Sequence, residues 1–318
     1  NNAPLPITDC KHDSANGYLT SNYSVAITNN IAAAKLTLNS VTVKDAKGIF
    51  INVNNERDTE TKKSGGSTVN LLNSTFTNNG GAVLNAYSTT ITVRNCTFEG
   101  NKNRAIYAYA YLDYNDTARL TVENSKFINK STPSTAYNAA GGAIYCYYYY
   151  SPATITNCTF TGNSAKWEGG AIYVQNIEDI TPVLSGKIIA KDNTANGVRN
   201  NVHLDGSRSS GAYISVDSSF NTAKSHVGIS ADNIPTLAVK GTTDPTGFFA
   251  DGGSDYTLRS TTDKSGPLLT SGNTGLELWH KGTGHTHCVC GTGTNSVDSD
   301  HKHDKTTKWI GVTTLKDL

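Results

Sequence analysis

The 318-residue sequence has no methionine and no long apolar run. The longest runs, such as Ile188-Ile189-Ala190, fall far short of the ~18 residues that cross a bilayer as a helix, so a soluble chain without direct membrane insertion is expected. An excess of charge is missing as well: 27 Lys and Arg face 26 Asp and Glu, a formal net charge of +1. No global field draws nucleic acid or anionic lipid, and neither is an expected partner. A basic-then-apolar leader is also lacking, so the chain reads as a processed product or a piece of a longer protein, its export signal and anchor outside the sequence. There is no Gly-x-Ser-x-Gly, phosphate loop, Rossmann fingerprint or His-Glu-x-x-His.

What is present is polar and extended. Hydrophobic residues make up only 36% while glycine reaches 29 and tyrosine 16, and Asn and Thr recur between short β-branched runs. That composition describes an all-β chain with a polar surface.

One pattern returns four times, in residues 69–79, 91–101, 120–130 and 153–163, with a weaker copy at 36–43. Its phenylalanines, Phe76, Phe98, Phe127 and Phe160, are spaced 22, 29 and 33 residues apart. Repeats of 20 to 50 residues mark a solenoid. Each copy alternates apolar and polar residues, breaks at an asparagine and resumes, which reads as two short strands joined by a corner. Asn tolerates the left-handed conformation of a one-residue corner, so Asn73, Asn95, Asn124 and Asn157 are expected to form a hydrogen-bonded ladder there. A third strand follows at Gly80-Gly-Ala-Val-Leu84, Arg104-Ala-Ile-Tyr107, Gly141-Gly-Ala-Ile-Tyr145 and Gly169-Gly-Ala-Ile-Tyr173. Three strands per turn, like residues stacked at ~4.8 Å, make a right-handed parallel β-helix solenoid. The longer spacings place loop insertions at 110–118 and 131–138.

The pairing of Phe-x-x-Asn with Gly-Gly-Ala-[Ile/Val] resembles the repeat of the polymorphic outer membrane proteins of chlamydiae, found also in large surface proteins of gut Firmicutes. Lys130 stands where the motif has Asn, and Asn103-Arg104 where it has the glycine pair. Downstream, 200–204, 227–230, 252–258 and 284–291 are similar to the closing rungs of the Firmicutes proteins. The resemblance covers roughly residues 25 to 310. It implies a module of a bacterial cell-surface protein, a rigid spacer and adhesin for host glycan or glycoprotein, next to other such modules. The ending Trp309 to Leu315 looks like the start of a following unit. The domain reading is a lead-in over 1–24, the β-helix over 25–270, and a short Cys/His-rich C-terminal segment over 271–318.

Cys96 and Cys158 fall in the column before the Phe, two rungs and ~10 Å apart, beyond the ~7 Å Cα separation of a disulfide. With Cys146 they are read as small buried hydrophobes. Cys288 and Cys290 differ, lying beside His285 and His287, with His301 and His303 following. Sparse apolar residues leave 271–318 unable to build a core. One structural zinc held by the two thiolates and two of those histidines would order it. Free thiols and a strained Cys288–Cys290 disulfide remain alternatives.

On the third strand, the residue after the repeat Ala is aliphatic (Val83, Ile106, Ile144, Ile172) and reads as inward, so the next points out. The outward columns are then Leu84, Tyr107, Tyr145 and Tyr173, and Ala86, Tyr109, Tyr147 and Gln175, with Tyr111, Tyr114, Tyr148, Tyr149 and Tyr150 in adjacent insertions. Stacked tyrosines stabilise a sheet without any further role. The functional alternative is a partly exposed platform for glycan or protein, formed by Tyr107, Tyr109, Tyr145, Tyr147 and Tyr173. The rival function is a polysaccharide lyase or glycoside hydrolase, which needs paired carboxylates or carboxylate-bound Ca²⁺. Acids cluster at Glu56, Asp58 and Glu60 and at Asp113 and Asp116, both in polar loops, while Glu168 stands in its column without an acidic neighbour. No catalytic residues are assigned.

Overall fold

A computed structural model describes residues 35–54, 66–109, 119–128, 140–147, 153–175, 181–205, 212–232, 234, 236–252, 256–262 and 274–280, with the backbone of 23–28. The chain winds through three faces of short strands. The first holds Lys35–Asn39, Thr68–Leu72, Thr90–Arg94, Leu120–Glu123, Thr154–Thr156, Val183–Ser185, Ile214–Val216 and Thr236–Lys240, each parallel to the next. The second holds Thr42–Lys44, Thr75–Thr77, Thr97–Glu99, Lys126–Ile128, Thr159–Thr161 and Ile189–Lys191. The third holds Tyr23–Thr28, Ile49–Asn54, Leu84–Tyr87, Ile106–Tyr109, Ile144–Tyr147, Ile172–Gln175 and Val202–Asp205. Every strand pairs with its counterpart one rung away, which is the parallel β-helix expected from the repeats.

Inside the coil the four phenylalanines lie in one column, fully buried, with ring centroids 4.9, 4.8 and 4.7 Å apart and nearly parallel planes. The corner asparagines are left-handed as expected, with φ of 48°, 53°, 47° and 51° at Asn73, Asn95, Asn124 and Asn157. The Asn95 side-chain amide donates to Asn73 Oδ1 at 3.0 Å, and Asn73 donates to Asn39 Oδ1 at 2.9 Å.

A second ladder, inside the coil, accounts for the Asn of Phe-x-x-Asn. Asn79, Asn101, Asn163 and Asn193 are buried. Asn79 donates both its backbone N–H and its side-chain amide to Asn101 Oδ1, at 3.0 and 2.8 Å. Asn163 does the same to Asn193, and Asn193 to Asn201. The remaining Nδ2 protons reach carbonyls one rung back, from Asn101 to Phe76, Asn163 to Phe127 and Asn193 to Phe160. Buried amides persist only when both ends are paired, and here the pairing itself sets the rung register.

The register corrects one reading. Leu84, not Val83, pairs with Ile106, and Ala86 pairs with Ala108. Leu84 and Ala86 therefore point inward and are fully buried, and Asn85 and Tyr87 hold the outward positions. Leu84 and Ile106 each follow their Phe by eight residues, so the distance from the core ring aligns the strands, and the Gly-Gly-Ala triplet of the first copy sits one place early. The second glycine of the pair is required by contact: a Cβ on Gly142 would lie 2.0 Å from the carbonyl oxygen of Gly170.

Toward the C-terminal end the coil changes. His226–Ala231 runs straight through what was a corner, its first residues pairing with Ile189–Lys191 and its later ones with Val202–Asp205. Phe248–Ala250 pairs beyond it. Gly275–His280 lies in the segment expected to have no core, yet Leu276 and Leu278 are fully buried. This strand runs antiparallel to both Thr236–Lys240 and Tyr256–Ser260.

Candidate functional site

One outward column of the first face reads Thr37, Asn70, Thr92, Thr121 and Thr154, with Leu72, Arg94 and Glu123 beside it, and one of the second reads Thr75, Thr97, Lys126 and Thr159, with Thr77, Glu99 and Ile128 beside it; none of these carries an aromatic ring. The third face departs from this. Its first outward column reads Asn52, Asn85, Tyr107, Tyr145, Tyr173, His203 and Ser230, and its second includes Tyr87, Tyr109 and Tyr147.

Tyr107, Tyr145 and Tyr173 stack with centroids 4.9 and 5.1 Å apart, and the His203 ring continues the stack at 5.8 Å. Tyr109 and Tyr147 stack beside them at 4.8 Å. The five rings expected on one face are thus brought together. Their expected exposure is not found: Tyr107, Tyr145, Tyr147 and Tyr173 are only 3 to 8% exposed and form an apolar cluster with Ala140 outside the coil's own core. Rings at rung spacing cover one another's faces, so an outward column of large aromatics buries itself. Tyr109 is partly buried against the same cluster. Tyr111, Tyr114, Tyr148, Tyr149 and Tyr150 lie outside the described residues.

The departure from the glycine pair has a consequence here. Arg104 is buried with its guanidinium 5.0 Å over the Tyr107 ring and 5.3 Å over that of Tyr145. That geometry is a cation–π contact, strengthened by the loss of water around it. Burial lowers the Arg104 pKa and pushes the Tyr107 hydroxyl far above its ordinary value, keeping the phenol neutral.

At the far end of the column stands a charged cluster. His203, 5% exposed at its side chain, places Nε2 3.1 Å from Asp232 Oδ1 and 3.5 Å from Glu168 Oε2. These carboxylates are 37% and 39% exposed. The Tyr173 hydroxyl donates to Asp205, whose residue pairs with Gln175 in the second column. Burial raises the Glu168 pKa; His203 pulls it back while Asp232 and Asp205 push it further up. Glu168 therefore does have acidic neighbours, contrary to the column reading. The repeats have degenerated where Asp232 lies, and alignment on Gly-Gly-Ala did not reach it. Trp167, next in sequence to Glu168, is 55% exposed, the most exposed large aromatic among the described residues.

Cys96, Cys146 and Cys158 are buried and unbridged, as expected. The zinc ligands expected at Cys288, Cys290, His285, His287, His301 and His303 lie outside the described residues, as do Glu56, Asp58, Glu60, Asp113 and Asp116.

Residues 157–175 match the Chlamydia polymorphic membrane protein repeat. The match runs from the corner Asn157 through Phe160, the ladder residue Asn163 and the glycine pair to the end of the third-face strand, the second- and third-face parts of one turn of the coil. It supports placing the chain, coarsely, among surface-associated repeat proteins. No curated protein and no solved structure matches the chain.

Proposed function

We propose that the chain is a rigid module of a bacterial cell-surface protein, a spacer that also adheres to a host glycan or glycoprotein through its third face. The spacer reading is supported by the parallel strand pairing, by four stacked Phe and by two runs of amide-paired Asn that tie successive rungs together and favour a stiff coil. The observation that carries the adhesive reading is the change of outward chemistry on that one face. Asn52 and Asn85 give way to aromatics, a buried guanidinium and a carboxylate pair, with an exposed Trp167 next in sequence to Glu168. The stacked tyrosines form the wall of the face, Glu168 and Asp232 are half-exposed at its end, and Trp167 is exposed. Aromatic faces flanked by hydrogen-bonding groups suit sugar rings.

A glycan array probed with the full chain and with Trp167→Ala tests this. Selective binding that drops at least about tenfold in the variant is expected; absence of glycan and host-cell binding by the folded chain overturns it. A polysaccharide-cleaving enzyme is the second reading, favoured by Glu168 and Asp232 facing one another across His203. Depolymerisation by the same sample that disappears in Glu168→Gln would establish it in place of the adhesin.

A further inference from the structure

Ser230 and two carboxylates surround the His203 ring. Ser230 Oγ lies 3.1 Å from His203 Nδ1 and 3.4 Å from the Val202 carbonyl oxygen. A hydroxyl has one proton to give, and the carbonyl can only accept it. Ser230 is thus placed to accept from Nδ1–H, the arrangement that turns Nε2 toward the carboxylates as a ligand atom. That atom is buried without a hydrogen-bond partner, although two carboxylate oxygens stand at 3.1 and 3.5 Å. A lone pair facing two anions is repulsive unless a cation sits among them. Direct N–H···O bonds from an imidazolium would answer the same need, but the ring is not aligned to form either.

The spacing fits a metal ion. Bonds of 2.0 to 2.2 Å at tetrahedral angles separate neighbouring donor atoms by ~3.4 Å, close to the two nitrogen-to-oxygen distances, and all three donors lie within 4.8 Å of one another. One imidazole with two carboxylates is a donor set for zinc and its neighbours. Calcium takes six to eight oxygens, and magnesium holds to octahedral oxygen coordination. The second sphere is also in place: Ser230 holds the ring through Nδ1, the usual arrangement for a ligating histidine.

We propose that Glu168, His203 and Asp232 hold one divalent transition-metal ion of the zinc class at the end of the tyrosine column. Three protein ligands leave the fourth position open. Since Glu168 and Asp232 are half-exposed, that position is open to solvent, where an oxygen of a bound ligand can enter. None of the three donors belongs to the Cys288–Cys290 segment, and none is sulfur.

The test uses the full chain carrying Cys288→Ser and Cys290→Ser, titrated with zinc against a chelator and separately with cobalt(II). One equivalent is expected to bind, with a cobalt spectrum free of thiolate charge transfer. Adding Asp232→Asn or Glu168→Gln, both at half-exposed positions that leave the coil intact, is expected to weaken zinc about 100-fold, and Ser230→Ala about 10-fold. No zinc binding by the parent overturns the proposal. So does an affinity within about threefold of the parent in both carboxylate variants.

Discussion

Asn201 gives both of its nitrogens to Asp251: the backbone N–H reaches one carboxylate oxygen at 2.6 Å and the side-chain amide reaches the other at 2.8 Å. The buried amide ladder that runs through Asn163 and Asn193 thus ends on a fully buried charge, with Arg199 Nε 3.3 Å away on its outer side. An amide column always has a donor left over at its end, and a carboxylate, which only accepts, is the side chain that absorbs two of them.

Replacing Asp251 with Ala leaves those buried donors unpaired and is expected to cost about 3 kcal/mol, measured by urea unfolding. The pH dependence has a definite sign. Burial raises the Asp251 pKa despite the Asn201 hydrogen bonds and Arg199, so the native state binds the proton more tightly than the unfolded chain. Its contribution is fully present below the unfolded value of ~3.9 and is lost as pH rises through the folded one. Asp251→Asn should remove that slope; an unchanged slope assigns it to another group.

Phe127→Ala removes the third ring of a closed stack and is expected to cost ~3 to 5 kcal/mol, because the rungs on either side cannot collapse into the space. Thermal and urea unfolding both report it. A loss below about 1 kcal/mol would mean that the column relaxes and does not hold the coil together.

Tyr145→Ala with Tyr147→Ala tests the outer column as structure. Both rings are nearly as buried as core residues, and Tyr145 stacks between Tyr107 and Tyr173 under Arg104. The double variant should lose at least about 3 kcal/mol, as truncation of large buried aromatics does. Near-wild-type stability would show that the rings are freely accessible, and would return them to the role of a binding platform.

Burial pushes the thiols of Cys146 and Cys158 up to about 12, and raises that of Cys96. Only thiolate is nucleophilic, so these three are expected to resist alkylation at about pH 8 until the chain unfolds. Peptide mapping distinguishes them from the other cysteines. Labelling of Cys158 faster than global unfolding would place it at a site that opens locally.

The columns were legible because they repeat. Phe76 to Phe160 and Asn73 to Asn157 recur in one local context, and a parallel coil turns recurrence into contact. The inner ladder was written in the same motif as the final Asn of Phe-x-x-Asn, but a polar residue beside a turn reads as turn chemistry unless its burial is known. The Glu168, His203 and Asp232 cluster was not legible. Its members come from three successive rungs after the repeat has lost its signature, and only pairing such as Tyr173 with His203 and His203 with Ser230 aligns them. The tyrosine face was read correctly in direction and wrongly in exposure, because period-2 alternation tells which side a ring is on and nothing about what covers it.

The reversal at Gly275–His280 bears on how far such a coil can grow. A rung of parallel strands offers its edge as a template for one more rung, and nothing intrinsic to the repeat limits the number. On the first face that template is taken by a strand running the other way, pinned through fully buried Glu277 to Arg259 at 3.7 Å and to the Trp279 indole at 2.9 Å. Continued winding in register is stopped on that side. Any further coil on this face has to nucleate afresh, so the parallel first-face ladder is interrupted at this strand rather than open to indefinite extension.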